Sequence, residues 1–413
     1  MLAPPPFMLT TGPVTAYPAV LNAMARPAVY DGHPDFQQFY RAVVGKLQAA
    51  LRLSNLPLIL QGDALLGLEA AAASLIGRKD VVLNLVSGVY GKGYAGWARR
   101  YAGEVIELTV PFDEAIDPER VREALAARPD ISIITVCHHD TPSGTLNPLA
   151  EIGRLGRAHG AHVIADAVSS FGSLDVHPQE AAIDIFVTSA AKCLGATPGL
   201  SLLAVSDRAW ERIKANPDAP RASFLSLLDW ELAAEAGRAF PVTPSLAEIS
   251  GLDAALDLYL QEGPERIWAR HARTAAAARA GLKALGLKLW PAREAIAAPS
   301  ATVFRLPEDI TDIRLRDTLL ERYGVMLSLG RGETAGRVLR IGHMGPAAEP
   351  MLAVTAVAAL GGALNQLGRQ VDAGTGVNAA LAILSQASSN HADSKGSSRE
   401  VAHADPANSV DPA

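Results

Sequence analysis

The chain has 413 residues, 49% of them hydrophobic, enough to bury one large core or two smaller ones, which excludes a mostly disordered protein. Its 37 basic and 43 acidic residues give a formal charge of −6 without a Lys/Arg cluster, which argues against nucleic acid or an anionic membrane as partner and for a small-molecule substrate. Cys137 and Cys193, both in apolar strand-like contexts, offer neither a disulfide framework nor metal-ligand spacing, so a reducing cytoplasm and no bound metal are expected.

The first residues, "MLAPPPFMLTTGPVTAYP", carry prolines where a signal peptide needs an unbroken apolar run, and residues 1–20 read as an N-terminal arm. A large sheet domain is expected over 21–262. Within it, from Val81 onward, short β-branched runs alternate with helical patterns: "VVLNLV", a helix through "GYAGWARRYAG", "EVIELTV", a helix near "PERVREALAAR", then "ISIITVC". The rhythm continues with the glycine-stopped helix "LAEIGRLGRAHG" and the buried strands "AHVIADAV" and "DIFVTSA". This is the pattern of βαβ units in a largely parallel sheet, whose ligands bind at the carboxyl ends of the strands.

Near Thr243 the pattern changes to long helical periodicity, which leads into a smaller α+β domain expected over 263–384. That domain would hold "ATVFRLP", a helix through "IRLRDTLLERYG", "VMLSLG", the turn "RGETAGR", "VLRIGHMG" and a final helix from about Pro350. From Ser385 to Ala413 large apolar residues are almost absent, and a disordered tail is expected.

Two residues at predicted strand ends carry chemistry together. Asp166 closes "AHVIADAV", and Lys192 follows "DIFVTSA" as the one cation in the stretch Asp184–Leu200. Singly, the aspartate reads as a cap and the lysine as a solvated tip. Together they match what pyridoxal phosphate requires: an amine for its aldehyde and a carboxylate that keeps its pyridine nitrogen protonated. Tyr90 in "SGVYGKG" would stack on such a ring, and Thr141 in "CHHDTPSGT" would hydrogen-bond a ring substituent, although turn capping is the plainer account of Thr141.

The strings "TTGPV", "LEAAAASL", "SGVYGKG", "HHDTPSGT", "ADAVSSFG", "AAKCLGATPGL" and "RIGHMG" resemble the class V aminotransferases of the fold-type I pyridoxal phosphate enzymes. The resemblance implies a large domain with a mainly parallel seven-stranded sheet and a smaller C-terminal α+β domain. "YDGHPDFQ", "VCHHDTPSGT", "ANPDAPRAS", "SLGRGET" and "RIGHMGP" are similar to members of the family that act on the free vitamin. The activity implied is reversible transamination of pyridoxamine and pyruvate to pyridoxal and L-alanine, in vitamin B6 degradation. Pyridoxamine and pyridoxal are then substrate and product, and no tightly bound cofactor is expected.

On matching positions the resemblance gives Lys192 the Schiff base and the proton transfer, Asp166 the pyridine nitrogen, and Tyr90 the stacking. It places Thr141, Asp63 and Val168 with the ring-binding residues. Arg340 of "RIGHMG" and Arg331 of "GRGET" would hold the substrate carboxylate, and Tyr30 of "VYDGHPDF" would complete the pocket. Relatives that retain a phosphate carry a glycine-rich, hydroxyl- or histidine-bearing turn where this chain has "GDALLG". The Asp63 carboxylate there would repel a phosphate dianion and accept a hydrogen bond from a free hydroxymethyl group. Phe240 stands where relatives have a tyrosine, Thr243 is a further candidate contact from a neighbouring subunit, and Ala191 and Val242 depart from the family pattern in ways that bear on substrate choice. The alternative is an alanine–glyoxylate or serine–pyruvate type enzyme that holds pyridoxal phosphate permanently; a non-catalytic vitamer-binding relative is a third reading. A homodimer or homotetramer is expected.

Overall fold

Runs of Val, Ile and Leu form the strands of the protein, and the central ones are buried along almost their whole length, as strands covered on both faces must be. The computed structural model describes residues 4–235 and 238–396, and no described helix is long and apolar enough to cross a membrane. In chain order the strands are β1 (Phe7–Leu9), β2 (Leu58–Gln61), β3 (Val81–Val86), β4 (Glu104–Thr109), β5 (Ile131–Cys137), β6 (His139–Asp140), β7 (Thr145–Leu146), β8 (His162–Asp166), β9 (Ile185–Ser189), β10 (Leu200–Val205), β11 (Ala301–Arg305), β12 (Val325–Leu329) and β13 (Val338–Gly342).

Seven of them form one sheet in the order β2-β10-β9-β8-β5-β3-β4. β4, β3, β5, β8 and β9 run parallel, while β10 is antiparallel to both β9 and β2. Two reversals restore direction, so β2 points the same way as the parallel strands. The carboxyl ends of β2, β3, β5, β8 and β9 therefore share one edge. This is the mainly parallel, seven-stranded α/β arrangement expected.

Helices cover the sheet by their apolar faces. Pro34–Leu51 buries Phe36, Tyr40, Val43, Val44, Leu47 and Leu51 and packs against the helix Leu246–Glu262. The long helical stretch after Thr243 is broken at Gly263-Pro264, where a second helix, Pro264–Ala284, begins with proline at its first turn.

The second sheet has the order β1-β12-β13-β11, and here the chain departs from expectation. The N-terminal segment is not a separate arm: Phe7–Leu9 pairs in parallel with Val325–Leu327 and buries Leu9 in the core of the smaller sheet. The proline-rich start hid a strand three residues long. A second departure lies at the other end, where the helix Ala373–Gly396 follows Pro350–Gln366. Ala380 and Leu384 pack against Ala277, Ala278 and Ala353, so the chain is helical across Ser385 and as far as Gly396. The rest of the expected tail, 397–413, lies outside the described residues.

Burial of histidines gives the fold a pH dependence. His138 and His343 are held down to about 3, and His139 and His271 to about 4, because burial disfavours the charged ring. Unfolded, each protonates near pH ~6.5. As pH falls from about 6.5 toward 4, the unfolded chain binds protons that the folded one refuses, and stability is lost. His162 is likewise held down to about 4, and Asp140 and Asp166, raised by burial, work in the opposite sense but are two groups against five. At pH ~5.5 each histidine contributes about 1 kcal/mol of destabilisation relative to neutral pH. Differential scanning calorimetry should show a Tm several degrees lower at pH ~5.5 than at pH ~7.5; an equal or higher value at the lower pH would contradict this account.

Candidate active site

The common carboxyl edge of the large sheet is where polar side chains gather. Asp63 follows β2, Tyr90 follows β3, Asp166 ends β8 and Lys192 follows β9. Together with Val168 and Arg331 they line a cavity of about 210 Å³. Six residues singled out in the sequence thus face one space.

Lys192 donates from Nζ to the carbonyl oxygen of Thr11 at 2.7 Å. Burial lowers its pKa, with the Arg340 charge adding to the effect and the Asp166 and Asp63 charges opposing it. The amine is thereby moved toward the neutral, nucleophilic form. Gly12 roofs it: φ there is +131°, and a Cβ would lie 2.0 Å from Nζ, so a side chain at this position is excluded by both backbone and space. Pro13 also lines the cavity. Neither the Thr11 carbonyl nor Gly12 was singled out as functional in the sequence, although "TTGPV" carried part of the family resemblance.

Asp166 accepts a hydrogen bond from the Val168 backbone N–H at 3.0 Å, and Cys137, its register partner on β5, donates from its thiol. Burial raises its carboxyl pKa. A buried carboxylate with spare acceptor capacity fits the protonated nitrogen of a heteroaromatic ring, which would supply the missing positive partner.

The helix Val89–Tyr101 begins one residue before Tyr90, which sits in its first turn. Its hydroxyl accepts from Arg331 Nη1 at 3.3 Å, and Lys92 of the same turn pairs with Glu333, so the turn Gly332–Thr334 from the smaller sheet docks on this helix. Arg340, on β13, is 7% exposed. Its Nε donates to the Leu329 carbonyl at 2.8 Å and its Nη1 to the Thr141 hydroxyl at 3.3 Å. Thr141 is buried and does not line the cavity; in place of the ring contact expected, its oxygen orients the guanidinium.

Asp63 is the N-cap of the helix Ala64–Leu75, its Oδ1 accepting from Leu65 N–H at 3.1 Å. The positive end of that helix is thus already met by a carboxylate of the chain. Phe240 packs edge-on against Tyr40 and Phe36, with ring centroids at 4.9 and 5.8 Å, and stands in the core. Val242 packs there too, Ala191 lines the cavity, and the Thr243 carbonyl accepts from Gln61 Nε2 beside β2. Tyr30 is 77% exposed, in the connection before Pro34, and lines no part of the cavity. Ser169 and Ser189 also line it and went unnoticed in the sequence, where short serine runs carry no positional signal.

Residues 71–344 match the family model described as aminotransferase class V. The chain belongs to the class V aminotransferases. This aminotransferase is 56% identical, over 92% of its length and 97% of the other's, to the pyridoxamine–pyruvate transaminase of Mesorhizobium japonicum. It is 37% identical to an uncharacterized aminotransferase of Methanocaldococcus jannaschii, over 91% and 97% of the two chains. Among solved structures it superposes on pyridoxamine–pyruvate aminotransferase from Mesorhizobium loti with a TM-score of 0.92 at 56% identity, covering 93% of this chain and 98% of that one. For the ureidoglycine–glyoxylate aminotransferase of Bacillus subtilis the TM-score is 0.88 at 28% identity, with 93% and 99% covered.

Class V aminotransferases are generally pyridoxal phosphate-dependent. The residues present fit the ring and aldehyde of that group, through Asp166, Tyr90, Val168 and Lys192. They fit its phosphate poorly, because Asp63 occupies the helix terminus that would receive the anion.

Proposed function

We propose that this aminotransferase transfers the amino group of pyridoxamine to pyruvate, yielding pyridoxal and L-alanine, as a step in vitamin B6 degradation. The observation that carries the reading is the Asp63 carboxylate at the start of Ala64–Leu75, facing the same cavity as Lys192 and Asp166. It repels a phosphate dianion and accepts a hydrogen bond from a free hydroxymethyl group. The 56% identity to a transaminase of that name supports it.

Asp166 holds the protonated pyridine nitrogen, which makes the ring an electron sink. Tyr90 and Val168 pack against the ring. Lys192 removes a proton from the amino-bearing carbon of pyridoxamine and returns it to the former carbonyl carbon of pyruvate. Arg340 and Arg331 bind the pyruvate carboxylate. The vitamin enters and leaves as substrate and product, and no tightly bound cofactor is required. Exposed Val29, Tyr30, Leu65 and Phe224 support burial against further copies as a homodimer or homotetramer, and two unpaired cysteines suit a cytoplasmic enzyme.

The test is a coupled assay on the purified protein, with pyridoxamine and pyruvate supplied and no phosphate ester added. Turnover to pyridoxal and L-alanine is expected. Activity only with added or retained pyridoxal phosphate would replace this reading by the cofactor-holding one.

Asp63→Ala should lower the preference for pyridoxamine over pyridoxamine phosphate, read as a ratio of kcat/KM values, by about tenfold or more. Asp63→Asn, which keeps a cap, should do the same with less loss of stability. An unchanged ratio in both variants would count against the role of the charge.

A further inference from the structure

We infer that Asp140 is a positioning residue for Tyr90: from outside the cavity it anchors the helix turn that presents the ring-packing side chain. The inference rests on the proposed role of Tyr90 in holding the vitamin ring.

The helix Val89–Tyr101 has glycine at its N-cap and so has no capping side chain of its own. Asp140, at the end of β6, supplies the cap from another part of the chain. Its Oδ2 accepts from the Tyr90 N–H at 2.7 Å and from the Gly91 N–H at 3.3 Å. Gly88 makes room for it, since a Cβ there would lie 2.2 Å from the Asp140 carboxyl carbon. The carboxylate is itself fixed, because its backbone carbonyl accepts from the Ser143 and Gly144 N–H groups in a tight turn.

Asp140 is fully buried, and among the described residues its Oδ1 has no hydrogen-bond partner. Leaving a buried acceptor unsatisfied is unfavourable. A serine or threonine at the N-cap would satisfy the same helix terminus without that cost. A glycine paired with a distant carboxylate instead makes the position of Tyr90 depend on the loop that also carries Thr141, the partner of Arg340. One turn, residues 140–141, thereby sets the spacing between the ring-packing tyrosine and the carboxylate-binding arginine.

A double-mutant cycle on pyridoxamine kcat/KM tests this, made with Asp140→Ala, Tyr90→Ala and the pair. Asp140→Ala alone should lower kcat/KM at least about tenfold, mainly through the pyridoxamine KM, and should cost less than about twofold in the Tyr90→Ala background. Asp140→Asn, which keeps an acceptor oxygen, should restore most of the loss. Equal losses in both backgrounds would overturn the proposal. So would a loss that persists without Tyr90 but vanishes in an Arg340→Ala background, which would assign Asp140 to the arginine. If Asp140→Ala does not fold, Gly88→Ala, which displaces the carboxylate without deleting it, replaces it in the cycle with the same expected non-additivity. All values are taken relative to wild type on the vitamer that wild type turns over, so a failure of the pyridoxamine reading appears in the wild-type assay and a failure of the Asp140 proposal only in the cycle.

Discussion

Lys192→Ala should lower the turnover of pyridoxamine with pyruvate by more than about 10⁴-fold while the variant still binds pyridoxamine. Among the residues lining the cavity, Lys192 carries the one amine. The arginines near it cannot substitute as bases, because a guanidinium does not give up its proton at accessible pH. The lysine is prepared for the task by burial, which lowers its pKa, and by the Thr11 carbonyl, which fixes its head at 2.7 Å without supplying a neutralising charge. Its removal takes away the group that carries a proton between two carbons, but leaves Asp166, Tyr90 and Val168 around the ring. Steady-state rates together with pyridoxamine binding followed by protein fluorescence separate the two effects. Turnover within about tenfold of wild type would require another base and would end this assignment.

Arg340→Ala should raise the KM for pyruvate about 10- to 100-fold and leave the KM for pyridoxamine within a few-fold, since a charge-assisted hydrogen bond contributes about 1.5–3 kcal/mol. The guanidinium is buried and held by two oxygens, the Leu329 carbonyl at Nε and the Thr141 hydroxyl at Nη1. Those contacts orient the planar fork before any substrate arrives, so little side-chain freedom is lost on binding. Arg340→Lys keeps a charge but loses the fork, and an intermediate KM for pyruvate is expected. Equal increases in both KM values for Arg340→Ala would remove the carboxylate role, because general disruption of the site would then be the larger effect.

The sheet and much of the cavity were legible in the sequence because they rest on local signals. Strand-end position after a β-branched run brings Asp63, Tyr90, Asp166 and Lys192 to one edge, and topology then does the rest. Arg331 and Arg340 were singled out through the motifs around them; Arg331 lines the cavity, whereas Arg340 is buried on β13 beside Thr141. What escaped depends on distant partners. A carbonyl such as that of Thr11 exists at every position, so nothing in "LTTGP" marks it as the acceptor for a lysine far along the chain. Thr141 was placed at the ring because a hydroxyl after a strand suits many acceptors and donors, whereas its actual partner comes from the other sheet. Tyr30, placed at the pocket by a motif, lies on the surface of the single chain. The stretch from Ser385 was assigned to a tail because it is polar, whereas the helix Ala373–Gly396 runs across it, anchored by Ala380 and Leu384 on an alanine face of Pro264–Ala284 that sequence periodicity cannot reveal.

The roof over Lys192 also ties the lysine of the large sheet to the folding of the smaller one. Leu9 lies opposite Leu327, and the Thr11 N–H donates to Ser328 Oγ, so the segment that carries the Thr11 carbonyl and Gly12 is held by residues made late. The roof can close only once β12 is in place, and a chain whose smaller sheet has not formed lacks the Thr11 acceptor above the lysine. Folding of the smaller sheet and positioning of the amine are thus one event rather than two.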